Sequence, residues 1–369
     1  MIYPTKTLSF LLPLGVAAGN VWQESSLGHY TNLMGVYASK PNEAHYSLVD
    51  QRAGSGVFVT QDYAVTGELF GPAGAMNMDI ALSSDQKIAC LVGLGGVFMG
   101  APYNGNFTKV ENVRVVTQSV ESFSSQSFGI TGTFSLPDRT NVNGVMISTD
   151  NGVTWSTYDV GAYDPYVLAA RYGAFPSEST WYVATGSWLY ASDAYGKQLT
   201  SRTVQRNGKF EFVTPQPMLT DSNTTGYNGG IFKTTDTGKS FELVYRTTQM
   251  YFNQIHCADT DHCMGVGEND NAAFVMSTKD GGVSWDTVYT GPTYMSLAAV
   301  RMLSVDEIWV GGGIMSPKSV EGHYLHSVDG GASWEDTIMN GMVFDMSFNG
   351  GIGYATYMTP SYTSSTVYK

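Results

Sequence analysis

Ser148-Thr149-Asp150-Asn151-Gly152-Val153-Thr154-Trp155 decides how this chain is read, because its pattern returns three more times. The further copies are Thr234-Thr235-Asp236-Thr237-Gly238-Lys239-Ser240-Phe241, Thr278-Lys279-Asp280-Gly281-Gly282-Val283-Ser284-Trp285 and Ser327-Val328-Asp329-Gly330-Gly331-Ala332-Ser333-Trp334. All fit Ser/Thr-x-Asp-x-Gly-x-Ser/Thr-aromatic, and each follows a short apolar run. A strand entering a tight hairpin explains the pattern: the carboxylate accepts backbone N–H groups inside the turn, glycine supplies positive φ, and the aromatic opens the next strand. Asp150, Gly152, Trp155, Asp236, Gly238, Phe241, Asp280, Gly282, Trp285, Asp329, Gly331 and Trp334 are therefore structural positions.

Between these boxes runs a second pattern, an apolar entering strand followed by a strand ending in small residues. Tyr251–His256 precedes Met264–Gly267, Leu297–Met302 precedes Ile308–Gly311, and Val343–Phe348 precedes Ile352–Ala355. Each period holds four strands and one box. The box aromatics at 155, 241, 285 and 334 set a period in the range of four-stranded propeller blades, with one interval about double the others. That interval contains either a degenerate box at Ser192 to Leu199 or an insertion at about 189–228, and its polar composition favours the insertion. Upstream, Asn77 to Phe107 makes a blade with an eroded box, and Thr31 to Phe70 one more, with Val57 to Asp62 as its third strand. Thr366 to Lys369 is the third strand of the last blade, which a strand near Asn20-Val21-Trp22-Gln23 completes, so both ends share one sheet and no edge is left open. The expectation is an all-β propeller of seven four-stranded blades, with six as the alternative, in a single domain over residues 20–369.

Composition agrees: 42 glycines, 23 tyrosines and low charge suit many short strands and turns. The net charge of −13 without a Lys/Arg run disfavours nucleic acid and anionic membranes as partners. No later apolar run has the length of a membrane span. Met1 to Gly19, with Lys6, the apolar Leu8 to Leu14 and the small Val16 to Gly19, reads as a secretory signal; the alternative makes Leu8 to Leu12 the first strand. Asn106-Phe107-Thr108 and Asn223-Thr224-Thr225 are glycosylation triplets compatible with export.

The boxes resemble the Asp-box, or bacterial neuraminidase repeat, of sialidases, sortilin-type receptors, xyloglucan-degrading enzymes and photosystem II stability/assembly factors. The pattern between boxes looks most like the assembly-factor branch, from about Asn77 onward. The resemblance implies a sialidase-superfamily propeller and says little of activity, since unrelated functions share the repeat. Sialidases carry an Arg-Ile/Leu-Pro motif that helps bind a carboxylate. None of Arg52, Arg114, Arg139, Arg171, Arg202, Arg206, Arg246 and Arg301 has that context, so sialidase activity is not expected. Assembly factors present a basic patch to a membrane-protein partner, from which this acidic chain departs.

His256-Cys257 and His262-Cys263 hold zinc-ligand types, but neighbours on a strand point to opposite faces. A Cys257–Cys263 disulfide is the expectation, ahead of free thiols and zinc, with Cys90 unpaired. Met76, Met78, Met250, Met295, Met342 and Met346 gather at blade entrances. Packing explains them better than Cu(I) binding, and no metal or cofactor is expected. With the boxes on one face of the disc, the loops entering first strands and leaving second strands lie on the other. There Trp188, Tyr251, Asn253, Glu268, Asn269, Asp270, Tyr294 and His323 form a candidate ligand surface suited to a glycan or protein. Glu268, Asp270 and Glu321 are candidate catalytic carboxylates if two stand at glycosidase separation. The leading expectation is a secreted, monomeric, non-catalytic propeller that binds a protein or glycan through the face opposite the boxes. The alternatives are a glycoside hydrolase or polysaccharide lyase on that face, and an organelle-lumen assembly factor.

Overall fold

The computed structural model describes residues 22, 24–30, 33–48, 55–71, 77–93, 96–110, 114–135, 141–160, 170–189, 202–206, 209–213, 226–269, 271–315, 320–358 and 365–368. Their strands form seven four-stranded antiparallel sheets and one two-stranded sheet. Six of the four-stranded sheets are blades from successive stretches of chain, whose innermost strands are Leu33–Lys40, Asn77–Leu82, Arg114–Ser122, Ala170–Ala174, Tyr251–Cys257 and Met295–Met302. The remaining one is composite: Met342–Asn349, Ile352–Met358 and Ser365–Tyr368 are completed by Glu24–Tyr30 from the other end of the sequence. The innermost strands pack in chain order around one axis, and Met342–Asn349 returns beside Leu33–Lys40.

The composition of the blades corrects the expected arrangement in one respect. Six blades come each from one stretch of chain, and the strand completing the composite sheet is Glu24–Tyr30; of the stretch expected to complete it, Asn20, Val21 and Gln23 lie outside the described residues. Trp22 is buried, with its ring 4.7 Å from Tyr324 and 5.6 Å from Trp309. A side chain of that size and hydrophobicity gains more from the core than from a sheet edge. Met1 to Gly19 lie outside the described residues. The fourth blade passes from Trp181–Leu189 to Gly226–Thr234 by way of the separate hairpin Arg202–Arg206 and Lys209–Val213.

Local chemistry accounts for the hairpins between third and fourth strands. In the fifth blade Thr278 Oγ1 donates to Asp280 at 2.9 Å and accepts the Gly282 N–H at 2.8 Å, while Asp280 accepts the N–H and hydroxyl of Ser284 at 2.9 and 2.7 Å. The turns at Asp150, Asp236 and Asp329 repeat this network. A fifth copy escaped the sequence pattern: Thr60 donates to Asp62, which accepts both the N–H and the hydroxyl of Thr66. Gly238, at φ +78, also admits its neighbours, because a Cβ there would lie 2.6 Å from Trp181 and 2.7 Å from Tyr158.

Each turn lies beside the loop joining first and second strands of its own blade. Gly281 N–H donates to Asp261 O, and Gly330 N–H donates to Asp306 O. That places both sets of loops on one face, here the turn face. Cys257 and Cys263 form a disulfide across one of these loops, while Cys90 is buried. The ring it closes is short, so replacing both cysteines by serine should lower stability by about 2 kcal/mol. Urea unfolding should show a shifted midpoint with an unchanged slope.

Candidate functional site

The innermost strands each carry a β-bulge part-way along, at Leu33/Val36, Asn77/Asp79, Thr117/Ser119, Ala170/Tyr172, Phe252/Gln254, Leu297/Ala299 and Val343/Asp345. A bulge releases backbone groups from the ladder, and buried N–H groups need another acceptor. Polar side chains of the preceding sheet supply it. Asp345 accepts Val36 N–H at 2.9 Å, Asp79 accepts Val120 N–H at 2.9 Å, and Ser119 accepts Gly173 N–H at 3.2 Å. Gln254 accepts Val300 N–H, and His256 Nδ1 accepts Met302 N–H at 3.2 Å. Arg301 closes the circuit with a 2.8 Å ion pair to Asp345.

These residues surround an axial cavity of about 380 Å³. It runs from the middle of the innermost strands to their exit ends, lined by Asp79, Glu121, Tyr172, Gln254, His256 and Arg301 and reaching Leu303 and Phe348. The cavity thus belongs to the turn face, whereas the sequence directs attention across the disc. Burial, and after it the Asp345 charge, pushes the Asp79 carboxyl well up, against the Val120 and Ile80 N–H groups and Arg301. Burial and then the Arg301 charge hold His256 down at about 3, so its imidazole is neutral. With Nδ1 accepting from Met302, the proton sits on Nε2.

Burial also pushes the Glu121 carboxyl up to about 7, although Phe175 N–H and Arg301 pull it down. An unfolded glutamate ionises near 4.5. Between those values the folded chain keeps a proton that the unfolded chain loses, so this group's contribution to stability falls as pH rises through the window. Glu121→Gln should flatten the dependence between pH 4.5 and 7 and raise stability at pH 8 by up to about 3 kcal/mol. Urea midpoints at pH 5 and pH 8 measure it.

A second polar cluster imitates a nucleophile triad without its geometry. Ser39 Oγ donates to Glu43 Oε1 at 2.6 Å, and His45 Nε2 lies 3.1 Å from that hydroxyl and 3.3 Å from the same carboxylate oxygen. A relay needs the acid on the far imidazole nitrogen. Here Ser39, Glu43 and His45 are all buried. Burial pushes Glu43 up, but hydrogen bonds from His45, Ser39, Tyr103 and Gln61 outweigh it and hold the carboxyl well below its usual range.

On the opposite face the structure joins some expected residues and gives others local duties. Tyr251 hydroxyl donates to Glu268, whose Oε2 is buried without a hydrogen-bond partner, and the Arg171 guanidinium lies 5.4 Å from the centre of the Tyr251 ring. Asn253 is buried and donates to Leu297 O at 3.0 Å. Asn269 bonds Gln249 O and the N–H groups of Asn271 and Ala272, which shapes its own loop. His323 is buried with Nδ1 2.8 Å from Asp336. Tyr294 is exposed and at φ +68, and Glu321 is exposed on its strand. The Trp188 side chain and Asp270 lie outside the described residues. Met250, Met295, Met342 and Met346 are buried. The sequence reading missed Asp79, Glu121, Gln254 and Asp345; the available signal was a polar residue interrupting an apolar entering strand.

No family model and no curated protein matches the sequence. Solved structures match in fold. YCF48 from Cyanidioschyzon merolae aligns with a TM-score of 0.55 and 12% identity, over 95% of this chain and 98% of that one. A YCF48 bound to D1 peptide gives 0.57 and 11%, over 95% and 97%. An ulvan lyase, a polysaccharide lyase, gives 0.56 and 9%, over 91% and 93%. At these identities the likeness establishes a β-propeller fold and nothing finer.

Proposed function

We propose that this protein is a non-catalytic binding propeller that receives a protein segment on the turn face, over the mouth of the axial cavity. One observation carries the reading. Eight of the ten large exposed apolar side chains among the described residues are on that face: Tyr63, Val65, Tyr103, Val153, Val283, Leu303, Val305 and Val328. Exposed apolar side chains gathered on one face favour association with another protein. The YCF48 structure that carries a D1 peptide supports a polypeptide as occupant. The five turns are read as Asp boxes that hold this face rigid, and the Cys257–Cys263 bridge supports an oxidising compartment, outside the cell or in an organelle lumen.

The test probes the full chain on an array of diverse fifteen-residue peptides and on a glycan panel. Leu303→Asp should abolish peptide capture and Tyr251→Ala should leave it intact. The reverse pattern, or turnover of a glycan, sinks the proposal. A second reading, glycan binding on the opposite face, rests on the unpartnered Glu268 Oε2 beside Tyr251 and Arg171. It gains ground if Glu268→Gln abolishes glycan capture.

A further inference from the structure

The axial cavity is short of positive charge. Among the described residues Arg301 is the one basic side chain in its wall apart from the neutral His256, and its Nη2 is engaged by Asp345 at 2.8 Å. Asp79 directs both oxygens to backbone donors, Ile80 N–H at 2.8 Å and Val120 N–H at 2.9 Å. Glu121 differs. Its Oε2 accepts Phe175 N–H at 3.2 Å, and its other oxygen has no hydrogen-bond partner among the described residues. An anion entering here would meet two carboxyls and a guanidinium already neutralised by Asp345. A metal ion would need several converging oxygens, and those of Asp79 already face N–H groups. The volume of about 380 Å³ falls in the range of small-ligand sites.

We propose that the cavity accepts the ammonium group of a lysine side chain from the docked segment, with the free oxygen of Glu121 as its anchoring acceptor. The inference rests on the turn-face reading for access. A compact ammonium carries three donors, which Glu121 and the cavity's remaining acceptors can share, while the stem of the side chain passes the apolar Leu303 and Phe348 at the mouth. The groups facing Glu121 across the cavity are Tyr37, Asp79, Tyr172, His256 and Arg301, with Asp345 behind Arg301. Because Glu121 ionises only near pH 7 in the empty cavity, entry of the cation below that pH expels its proton.

Titration calorimetry of the full chain with the peptides acetyl-Leu-Val-Lys-Val-Leu-amide and its norleucine counterpart tests the proposal. At pH 8 the lysine peptide should bind at least about tenfold more tightly, as one charge-assisted hydrogen bond requires. At pH 6 that advantage should shrink about tenfold, since most of Glu121 is then protonated. At pH 6 the lysine peptide's binding heat should vary with the ionisation enthalpy of the buffer, and at pH 8 Glu121→Gln should erase the preference for lysine. Equal binding of both peptides, a preference that survives Glu121→Gln, or no binding of the lysine peptide overturns the inference. Should Glu121→Gln fail to fold, the ratio of lysine to norleucine affinity on the unaltered chain, compared between pH 8 and pH 6, decides the question alone. If both peptides bind equally and both are lost with Leu303→Asp, the ammonium site fails and the turn-face reading stands. If Leu303→Asp leaves both bound, the turn-face reading itself fails.

Discussion

Asp345→Ala should cost about 3 to 5 kcal/mol of stability at neutral pH, the scale set by stranding one member of a buried ion pair. Asp345 is nearly inaccessible, and its carboxylate receives Arg301 at 2.8 Å and Val36 N–H at 2.9 Å. Truncation leaves the guanidinium in the channel without its counter-charge. It also leaves a bulge N–H unsatisfied at the junction between the composite sheet and the first blade. Asp345→Asn should cost less, because a carboxamide oxygen still accepts Val36 N–H, although the charge pairing is lost. Urea unfolding at pH 7 orders the three proteins. A loss below about 1 kcal/mol for the alanine variant would mean that Arg301 re-pairs with Asp79, whose acidity it already raises.

Trp22→Ala should be of similar size, about 3 to 5 kcal/mol, as for large aromatic truncations in cores. Trp22 lies in the core between the composite sheet and the sixth blade, packed against Trp309, Tyr324 and Phe348 with ring centres 5.6, 4.7 and 5.9 Å away. Gly353 makes the space, since a Cβ there would come within 2.8 Å of the indole. The residue therefore wedges the composite sheet against the sixth blade. Thermal unfolding of the variant, with near-ultraviolet dichroism as a second probe, checks the loss. Trp22→Phe should recover part of it.

The turns were legible because their chemistry is local: serine or threonine, aspartate and glycine within five residues are enough to build each one. The copy at Thr60 to Thr66 was illegible for a local reason too. Ala64 stands where glycine is expected, and Gly67 stands where the aromatic is. Tyr63 and Ala64 nonetheless adopt φ +62, a conformation disfavoured for side chains with a Cβ, and the hydrogen bonds from Thr60 and to Asp62 help offset it. The place of the aromatic is taken by Phe58, whose ring lies 2.2 Å from where a Cβ on Gly67 would be.

The cavity could not be read in the same way. Asp79, Glu121, His256 and Arg301 come from four different blades, and nothing within a single strand announces that they share a space. Loop composition pointed to the other face and favoured Asn253, Asn269 and His323, polar residues whose hydrogen bonds turn out to tie neighbouring loops, strands and blades together. A polar residue on a propeller loop has two employers open to it, the neighbouring backbone and a ligand, and sequence does not distinguish them. What distinguishes them is whether the side chain retains an unused donor or acceptor once the backbone is satisfied. Glu121 and Glu268 do.

At four seams of the ring the preceding sheet supplies a side-chain acceptor and the following sheet the released N–H. The ring therefore works as a proofreading device for its own assembly. A strand that slips by one residue misplaces the acceptor it offers forward and the donor it offers backward, so a single error is felt at two seams and the mis-set ring is disfavoured twice over.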